Sequence, residues 1–328
     1  MTEQKYEIEA DIVQANDLLN RLKKEIHKAI IGQEKMVERL IIAILCGGHV
    51  LIEGVPGIAK TLAVTTLAKA LTLDFKRIQF TPDLLPSDLI GTSVYHPKDG
   101  TFTVEKGPVF SNIVLADEIN RAPPKVQSAL LEVMQEHQVT IGGETFKTKA
   151  PYFVLGTQNP IEQEGTYPLP EAETDRFMMK IVMDYPAFGD EKDIVRRYGA
   201  HVPPQIEAQM GPQDVSKLQE LVRKVYLDDK ILNYIVSIVV ATRSPKESNV
   251  DIEGLLEYGA SPRASLWLAS ASRAHALLHA RAYVTPFDVK EVAFDVLRHR
   301  LVLSYEAQAQ EVTAEAIIQR IFNKIPVP

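Results

Sequence analysis

The spacing of apolar residues divides the chain into a first part that alternates short strands with helices and a second part with helical periodicity alone. Uninterrupted apolar runs at residues 50–52 and 113–116 are typical of buried parallel strands. From about residue 190 onward, apolar positions recur every three or four residues and no convincing strand pattern is present. The pattern therefore predicts an α/β domain over residues 1–188 and an all-α domain over residues 189–328.

Shorter patterns complete the predicted elements. Three more strands are predicted at residues 75–80, 152–155 and 177–183, which with the two apolar runs make a five-stranded sheet. Turn residues separate the strands of two predicted hairpins, at residues 92–105 and 138–149. Amphipathic spacing predicts helices at residues 16–31, 37–45, 215–225, 230–241, 262–280, 286–300 and 313–325.

Composition and charge narrow the class of protein. The 328 residues are enough for about two domains, and 36 basic against 43 acidic residues give a net charge of −7. No block of basic residues is present, so we do not expect a nucleic-acid partner. The single cysteine, Cys46, rules out a disulfide framework within the chain. The N-terminus has no signal-peptide core, and the apolar run at residues 40–45 is far shorter than the roughly 20 residues that span a bilayer. We therefore expect a cytoplasmic protein without direct membrane insertion.

The loop between the first predicted strand and the next helix has the sequence of a phosphate-binding loop. Free N–H groups and the positive dipole end of a helix N-terminus attract a polyphosphate. Gly54 and Gly57 would let the backbone bend around the phosphates, Lys60 would reach the β- and γ-phosphates, and the Thr61 hydroxyl would bind Mg²⁺. Ala59 stands where the general pattern G-x-x-x-x-G-K-[ST] has glycine, so the match is incomplete.

Two acidic residues, Asp117 and Glu118, directly follow the second apolar run. Chemistry concentrates at the carboxyl ends of parallel strands, where Asp117 would hold Mg²⁺ and Glu118 would orient and polarise the attacking water. Such a pair is common by chance after an apolar run. Its combination with the upstream loop favours the functional interpretation.

Three further polar residues each have a functional and an ordinary interpretation. Asn159, just beyond a predicted strand, has two interpretations: it hydrogen-bonds the γ-phosphate or the attacking water, or it is a turn residue. Arg176 either pairs with neighbouring acids or projects into the nucleotide of another subunit. Arg263 lies in a helix first turn, where it either faces a ligand or is simply exposed.

His275 and His279 are four residues apart on one predicted helix face, which is a metal-ligand spacing. The sequence has no acidic residue between them and no evident third ligand. A surface or interface pair is therefore favoured over a zinc site.

Taken together, these residues resemble the AAA+ ATPases, and three longer stretches resemble the MoxR branch of that family. The stretches are Gly-Val-Pro-Gly-Ile-Ala-Lys-Thr at residues 54–61, Leu-Ala-Asp-Glu-Ile-Asn-Arg-Ala-Pro-Pro at residues 115–124 and Tyr-Pro-Leu-Pro-Glu-Ala at residues 167–172. The resemblance covers about residues 20–325. Ala59 is a usual variant in that branch.

The resemblance implies an α/β fold: an AAA+ P-loop core, made of a five-stranded parallel sheet with helices on both faces and two β-hairpin inserts, followed by a C-terminal all-α lid domain. It assigns catalytic roles to Lys60, Glu118, Asn159 as sensor 1 and Arg176 as an arginine finger acting in a neighbouring subunit. Arg121 would be an additional inter-subunit arginine, and Ile31 would lie near the adenine. The implied nucleotide-binding residues are Gly32, Gly54, Val55, Pro56, Gly57, Ile58, Ala59, Lys60, Thr61, Leu62, Asp117 and the sensor 2 residue Arg263, with Thr61 and Asp117 as metal ligands.

The function that the resemblance implies is Mg²⁺-dependent ATP hydrolysis in a homo-oligomeric ring, expected to be a hexamer. Such a protein would act as a chaperone that remodels or activates a partner with a von Willebrand factor A domain. Two alternatives are the motor subunit of a magnesium-chelatase-like metal-insertion complex and a non-hydrolysing, nucleotide-gated binding module. Glu118, Asn159 and Arg176 argue against the last, because a pure switch does not need all three.

Overall fold

The computed structural model describes residues 2–55, 57–98, 100–160, 165–199 and 204–328, with side chains from residue 10 onward. Contacts divide it into two compact units. The α/β unit comprises Arg21–Arg176 and Ile181–Ser216, and the helical unit comprises Met1–Asn20, Phe177–Lys180 and Lys217–Pro328. The predicted domain boundary after residue 188 stays a prediction, although residues 189–216 group with the α/β unit.

The strands and helices follow the apolar patterns closely. The strands are β1 Val50–Gly54, β2 Phe75–Gln79, β3 Gly91–His96, β4 Thr101–Lys106, β5 Ile113–Asp117, β6 Gln138–Ile141, β7 Glu144–Lys147, β8 Phe153–Gln158, β9 Met179–Met183, β10 Leu256–Tyr258 and β11 Val302–Leu303. The helices are α1 Thr2–Ala29, α2 Glu34–Cys46, α3 Lys60–Ala70, α4 Pro86–Ile90, α5 Pro124–Glu136, α6 Glu171–Thr174, α7 Phe188–Tyr198, α8 Pro212–Lys224, α9 Asp229–Ala241, α10 Pro262–Leu278, α11 Pro286–Leu297, α12 Tyr305–Ala309 and α13 Ala314–Lys324.

A five-stranded parallel sheet with the strand order β2-β5-β8-β1-β9 organises the α/β unit. Strand β5 is buried along its whole length between β2 and β8, as its continuous apolar run predicts. Gln79 of β2 lies opposite Asp117 of β5, and Ala116 lies opposite Gly156 of β8. The carboxyl ends of these three strands therefore meet at one edge of the sheet, and polar side chains that end them lie close together.

Two antiparallel hairpins, β3–β4 and β6–β7, lie in the connections between strands of the parallel sheet. They confirm the two predicted inserts. With the parallel sheet and the C-terminal helices, they confirm the predicted fold class.

Two details of the predicted elements were wrong. The C-terminal part is not entirely helical, because β10 and β11 form a two-stranded antiparallel sheet. Strands of three and two residues are too short for an alternating pattern to reveal. Helix α1 also begins well before residue 16, since buried Ile12 and Ala15 extend the apolar face of Leu19 and Leu22 toward the N-terminus.

Among the described residues, none of the helices combines the length and the apolar character needed to cross a membrane.

Candidate nucleotide-binding site

The loop after β1 leads directly into the N-terminus of α3, as the sequence predicts. Gly57 adopts a φ of 85°, and Ala59 caps the helix with a left-handed φ of 62°. This backbone conformation is the reason for glycine at this position in the general pattern, because an alanine there is strained by about 1–2 kcal/mol. A Cβ on Gly54 would lie 2.5 Å from the Ile58 Cδ1 atom, so glycine allows the loop to fold closely on itself. Pro56, also assigned to the site, lies outside the described residues.

Lys60, the first residue of α3, is held against its own loop. Its Nζ donates a hydrogen bond to the Gly54 carbonyl at 2.6 Å. Partial burial lowers the pKa of the Lys60 ammonium, while the charges of Asp117 and Glu118 oppose this shift. The ammonium therefore lies in the field of the acidic pair, at the helix end that favours an anion.

Both carboxylate oxygens of Asp117 have hydrogen-bond donors within the α/β unit. Arg77 of β2 donates to Oδ2 from Nε at 2.9 Å and from Nη2 at 2.5 Å. The Thr157 hydroxyl of β8 donates to Oδ1 at 2.6 Å. Asp117 is 8% exposed, and a buried carboxylate needs a positive partner. The Arg77 guanidinium supplies that charge here, and a bound cation could supply it instead.

Glu118 is restrained through its backbone and through its side chain. The backbone is left-handed, with a φ of 56°, and its N–H donates to the Thr157 hydroxyl at 2.9 Å. The Oε2 atom accepts a hydrogen bond from Gln79 Nε2 at 2.8 Å and lies 3.3 Å from Arg121 Nε. One threonine hydroxyl thus ties together the two acids, and Gln79 and Arg121 hold the second acid in place.

A cavity of about 160 Å³ opens beside the phosphate loop. Its walls are mainly apolar, as is typical of a pocket for a planar ring. Gly32 lies between the lining residues Ile31 and Gln33 and adopts a φ of 64°. A Cβ on Gly32 would lie 2.5 Å from Asp190 Oδ2. The lining residues are Ala29, Ile30, Ile31, Gln33, Gly57, Ile58, Ala59, Leu62, Pro186, Ile194 and Tyr198.

Three other predicted site residues, Asn159, Arg176 and Arg263, lie on different elements of the fold. Asn159 is buried immediately beyond β8, at the sheet edge that also carries Asp117. Arg176 lies two residues past α6 and donates from Nη1 to the Leu131 carbonyl of α5 at 3.0 Å. Arg263 belongs to the helical unit, in the first turn of α10, where its N–H donates to the capping Ser261 hydroxyl at 3.2 Å.

His275 is a core residue, so the favoured interpretation of a surface or interface pair was wrong for it. Its side chain is 2% exposed, and Nδ1 lies 2.5 Å from Asp288 Oδ1. Burial alone would raise the pKa of Asp288, but hydrogen bonds from His275, Arg281 and Thr285 hold it well below its usual range. This buried ion-pair network gives His275 a structural role within the helical unit.

Arg77, Gln79 and Thr157 contact the candidate site residues Asp117 and Glu118, and the sequence analysis did not identify them. Arg77 and Gln79 are two residues apart and share one face of β2, while Thr157 lies at the end of β8. A signal was present, because polar side chains end both strands. Using it requires knowing that β2 and β8 flank β5.

Comparisons with known proteins give a consistent result. A family model described as the ATPase family associated with various cellular activities (AAA) matches residues 49–179, and a model of the AAA lid domain matches residues 251–321. The chain is 50% identical to the chaperone MoxR1 of Mycobacterium tuberculosis over 94% of this chain and 82% of that protein. It is 33% identical to the protein MoxR of Paracoccus denitrificans, over 91% of this chain and 93% of the other. The structure of a proposed ATPase from Cytophaga hutchinsonii matches with a TM-score of 0.93 and 48% identity, covering 100% of both chains.

Proposed function

Because the chain belongs to the MoxR family of AAA+ ATPases, we propose that it hydrolyses Mg²⁺-bound ATP at the loop of β1 and α3 in order to remodel a partner protein. The observation that carries the proposal is the Thr157 hydroxyl, which joins Asp117 to the backbone of Glu118 in the same unit as Lys60. A metal ligand and a general base held by one buried group are arranged for hydrolysis at a fixed geometry.

The residues at the loop suit a nucleotide and its metal. Carboxylate and hydroxyl oxygens are the ligands that Mg²⁺ prefers, and Asp117 and Thr61 would supply them. An ion held there would supply positive charge that offsets the negative charge of the phosphates. Lys60 would transfer its hydrogen bond from the Gly54 carbonyl to a phosphate oxygen, and the N–H groups of α3 would complete the cradle. The loop residues that line this cradle are Gly54, Val55, Pro56, Gly57, Ile58, Ala59 and Leu62.

Two ion pairs must break for the site to act, Arg77–Asp117 and Arg121–Glu118. Arg77 would leave Asp117 when that carboxylate holds the cation, because a guanidinium and a dication compete for the same negative charge. Glu118 would leave Gln79 and Arg121 to accept a proton from the attacking water. Asn159 would donate a hydrogen bond to the γ-phosphate or to that water. The apolar cavity beside Gly32 would take the adenine ring.

Arg176 would act on the nucleotide of a neighbouring copy, and Arg263 on the nucleotide of its own chain. Such an arginine finger raises turnover by about 10³–10⁵, so an isolated chain would be nearly inactive. We therefore propose a ring, most simply a hexamer, whose client or adaptor carries a von Willebrand factor A domain. The MoxR names of full-length relatives favour this chaperone role over a magnesium-chelatase-like motor.

ATP turnover measured against protein concentration tests this proposal, with light scattering to follow mass. We expect specific activity to rise with assembly, and Arg176→Ala to assemble yet lose at least 100-fold in turnover. Arg196→Ala is the matched control, because Arg196 is an exposed arginine that pairs with Asp193 on α7. Turnover that is independent of concentration and of Arg176 would mean that the site is complete within one chain.

A further inference from the structure

Arg176 is the last residue before a short segment, Phe177–Lys180, that groups by its contacts with the helical unit. The last two residues of this segment, Met179 and Lys180, also begin β9 of the parallel sheet. Phe177, Met178 and Met179 are each fully buried. The residue proposed as the arginine finger is therefore attached to the first residue of a segment that the helical unit holds.

Two consecutive basic residues of the helical unit bind this segment through its backbone. Arg300 donates from Nη2 to the Phe177 carbonyl at 2.6 Å and from Nη1 to the Met178 carbonyl at 3.1 Å. The same guanidinium also donates to the Val296 carbonyl of α11. His299 Nε2 lies 3.0 Å from the Phe177 carbonyl. The peptide that follows Arg176 is thus tied at two successive carbonyls to the short 3₁₀ turn, Arg298–Arg300, that follows α11.

These contacts are unusual in their chemistry. Arg300 is 5% exposed, and the three carbonyls named above satisfy its buried charge. A planar guanidinium can reach several carbonyls at once in a fixed direction, which a lysine ammonium cannot do. Burial and the neighbouring charge of Arg300 lower the pKa of His299 well below its ordinary value, so the neutral ring donates from Nε2. The clamp therefore fixes both the position and the orientation of the Phe177 peptide.

We infer that Arg300, assisted by His299, is a positioning residue that lets the helical unit of a chain set the placement of its own Arg176 in the neighbouring subunit's site. The inference rests on the proposed role of Arg176. Its consequence is directional: the clamp of one chain controls hydrolysis in the next chain, while hydrolysis in its own site depends on the clamp of the other neighbour.

Mixed assemblies separate these two directions. A receiver chain, Arg176→Ala, keeps its own site but offers no finger, and a donor chain, Glu118→Gln, offers a finger but cannot hydrolyse. Mixing them should restore turnover only where a donor finger meets a receiver site. We expect Arg300→Met on the donor to lower the restored turnover at least 10-fold, and the same substitution on the receiver to change it less than 3-fold.

The controls address folding and assembly. Arg298→Met is the matched variant, because Arg298 lies in the same turn but pairs with Asp295 and Glu315. Donor nucleotide affinity, measured with a fluorescent ATP analogue, and the mass of the mixed assembly should stay unchanged. If Arg300→Met does not fold, His299→Phe removes one hydrogen bond to the Phe177 carbonyl and should give the same asymmetry with a smaller loss.

Each result has one meaning. The parent mixture contains Arg176→Ala and Glu118→Gln without any change at Arg300. If mixing these chains restores no turnover, and Arg176→Ala is active alone, the proposed function itself is overturned. If the parent mixture works and the donor substitution leaves it intact, the positioning role is wrong. Equal losses from donor and receiver would show that Arg300 acts only in the stability of the chain, which also overturns the inference.

Discussion

Replacing Thr157 by valine removes one hydroxyl from the centre of the proposed site with little change in shape. Thr157 is 1% exposed, donates to Asp117 Oδ1 at 2.6 Å and accepts from the Glu118 N–H at 2.9 Å. The substitution therefore removes a charge-assisted hydrogen bond and leaves a backbone donor without its acceptor.

The expected magnitude follows from these two losses. A hydrogen bond to a charged group contributes about 1.5–3 kcal/mol, and an unpaired buried N–H costs about 1–3 kcal/mol. Glu118 is only partly buried, so water recovers part of the second loss. We expect the free energy of unfolding of the α/β unit to fall by about 3 kcal/mol. A displacement of about 1 Å in Asp117 or Glu118 should lower kcat about 100-fold.

The assay compares Thr157→Val with Thr157→Ser. Serine keeps the hydroxyl and loses one methyl group, so it should cost about 1 kcal/mol in stability and change kcat less than about 5-fold. Urea unfolding reports stability, and ATP turnover at saturating Mg²⁺ reports catalysis. Equal turnover in the valine and serine variants would refute the reasoning, because the hydroxyl would then position neither acid.

Three further predictions concern other residues of the α/β unit, His49, Ala59 and Arg77. Burial lowers the pKa of His49 from its ordinary 6.5 to about 4. As the pH falls, the imidazole is therefore protonated in the unfolded chain before it is protonated in the folded chain. The free energy of unfolding should fall by about 3 kcal/mol between pH 6.5 and pH 4. Urea melts at both ends of this range should show that loss in wild type but not in His49→Gln; parallel pH profiles would contradict it. Ala59→Gly should raise the melting temperature slightly, because relief of about 1–2 kcal/mol of strain exceeds the roughly 0.5–1 kcal/mol of added chain entropy; a lower melting temperature would exclude strain at this position. Arg77→Gln should lower the Mg²⁺ concentration needed for nucleotide binding about 2–5-fold, since Arg77 is half exposed and its ion pair with Asp117 is worth at most about 1 kcal/mol. An unchanged Mg²⁺ titration would show that the guanidinium does not compete with the cation.

The sequence predicted the local structure around those proposed site residues that a single stretch of chain carries. The loop proposed to bind phosphate lies between an apolar strand and a helix, and Asp117 and Glu118 follow an apolar run, so the local pattern was sufficient to place both. Even the departure at Ala59 has a local cause, the left-handed backbone that caps α3.

Contacts between distant strands could not be predicted in the same way. Arg77 and Thr157 reach Asp117 only because β2 and β8 lie on either side of β5, and neither is adjacent to β5 in the chain. The short strand β10 pairs with β11 across more than forty residues, and each is too short to carry a periodic signal. The clamp at Arg300 is likewise a long-range contact, because Arg300 and Phe177 are 123 residues apart in the chain.

The division of the chain into interleaved units also affects how the protein is made on the ribosome. The helical unit needs both Met1–Asn20 and Lys217–Pro328, while the whole of the α/β unit is synthesised between them. At about 5–20 residues per second, the apolar face around Leu19 waits roughly 10–40 s for its partners to be translated. During that interval the first half of α1 is a nascent amphipathic segment whose apolar face has no partner surface to pack against.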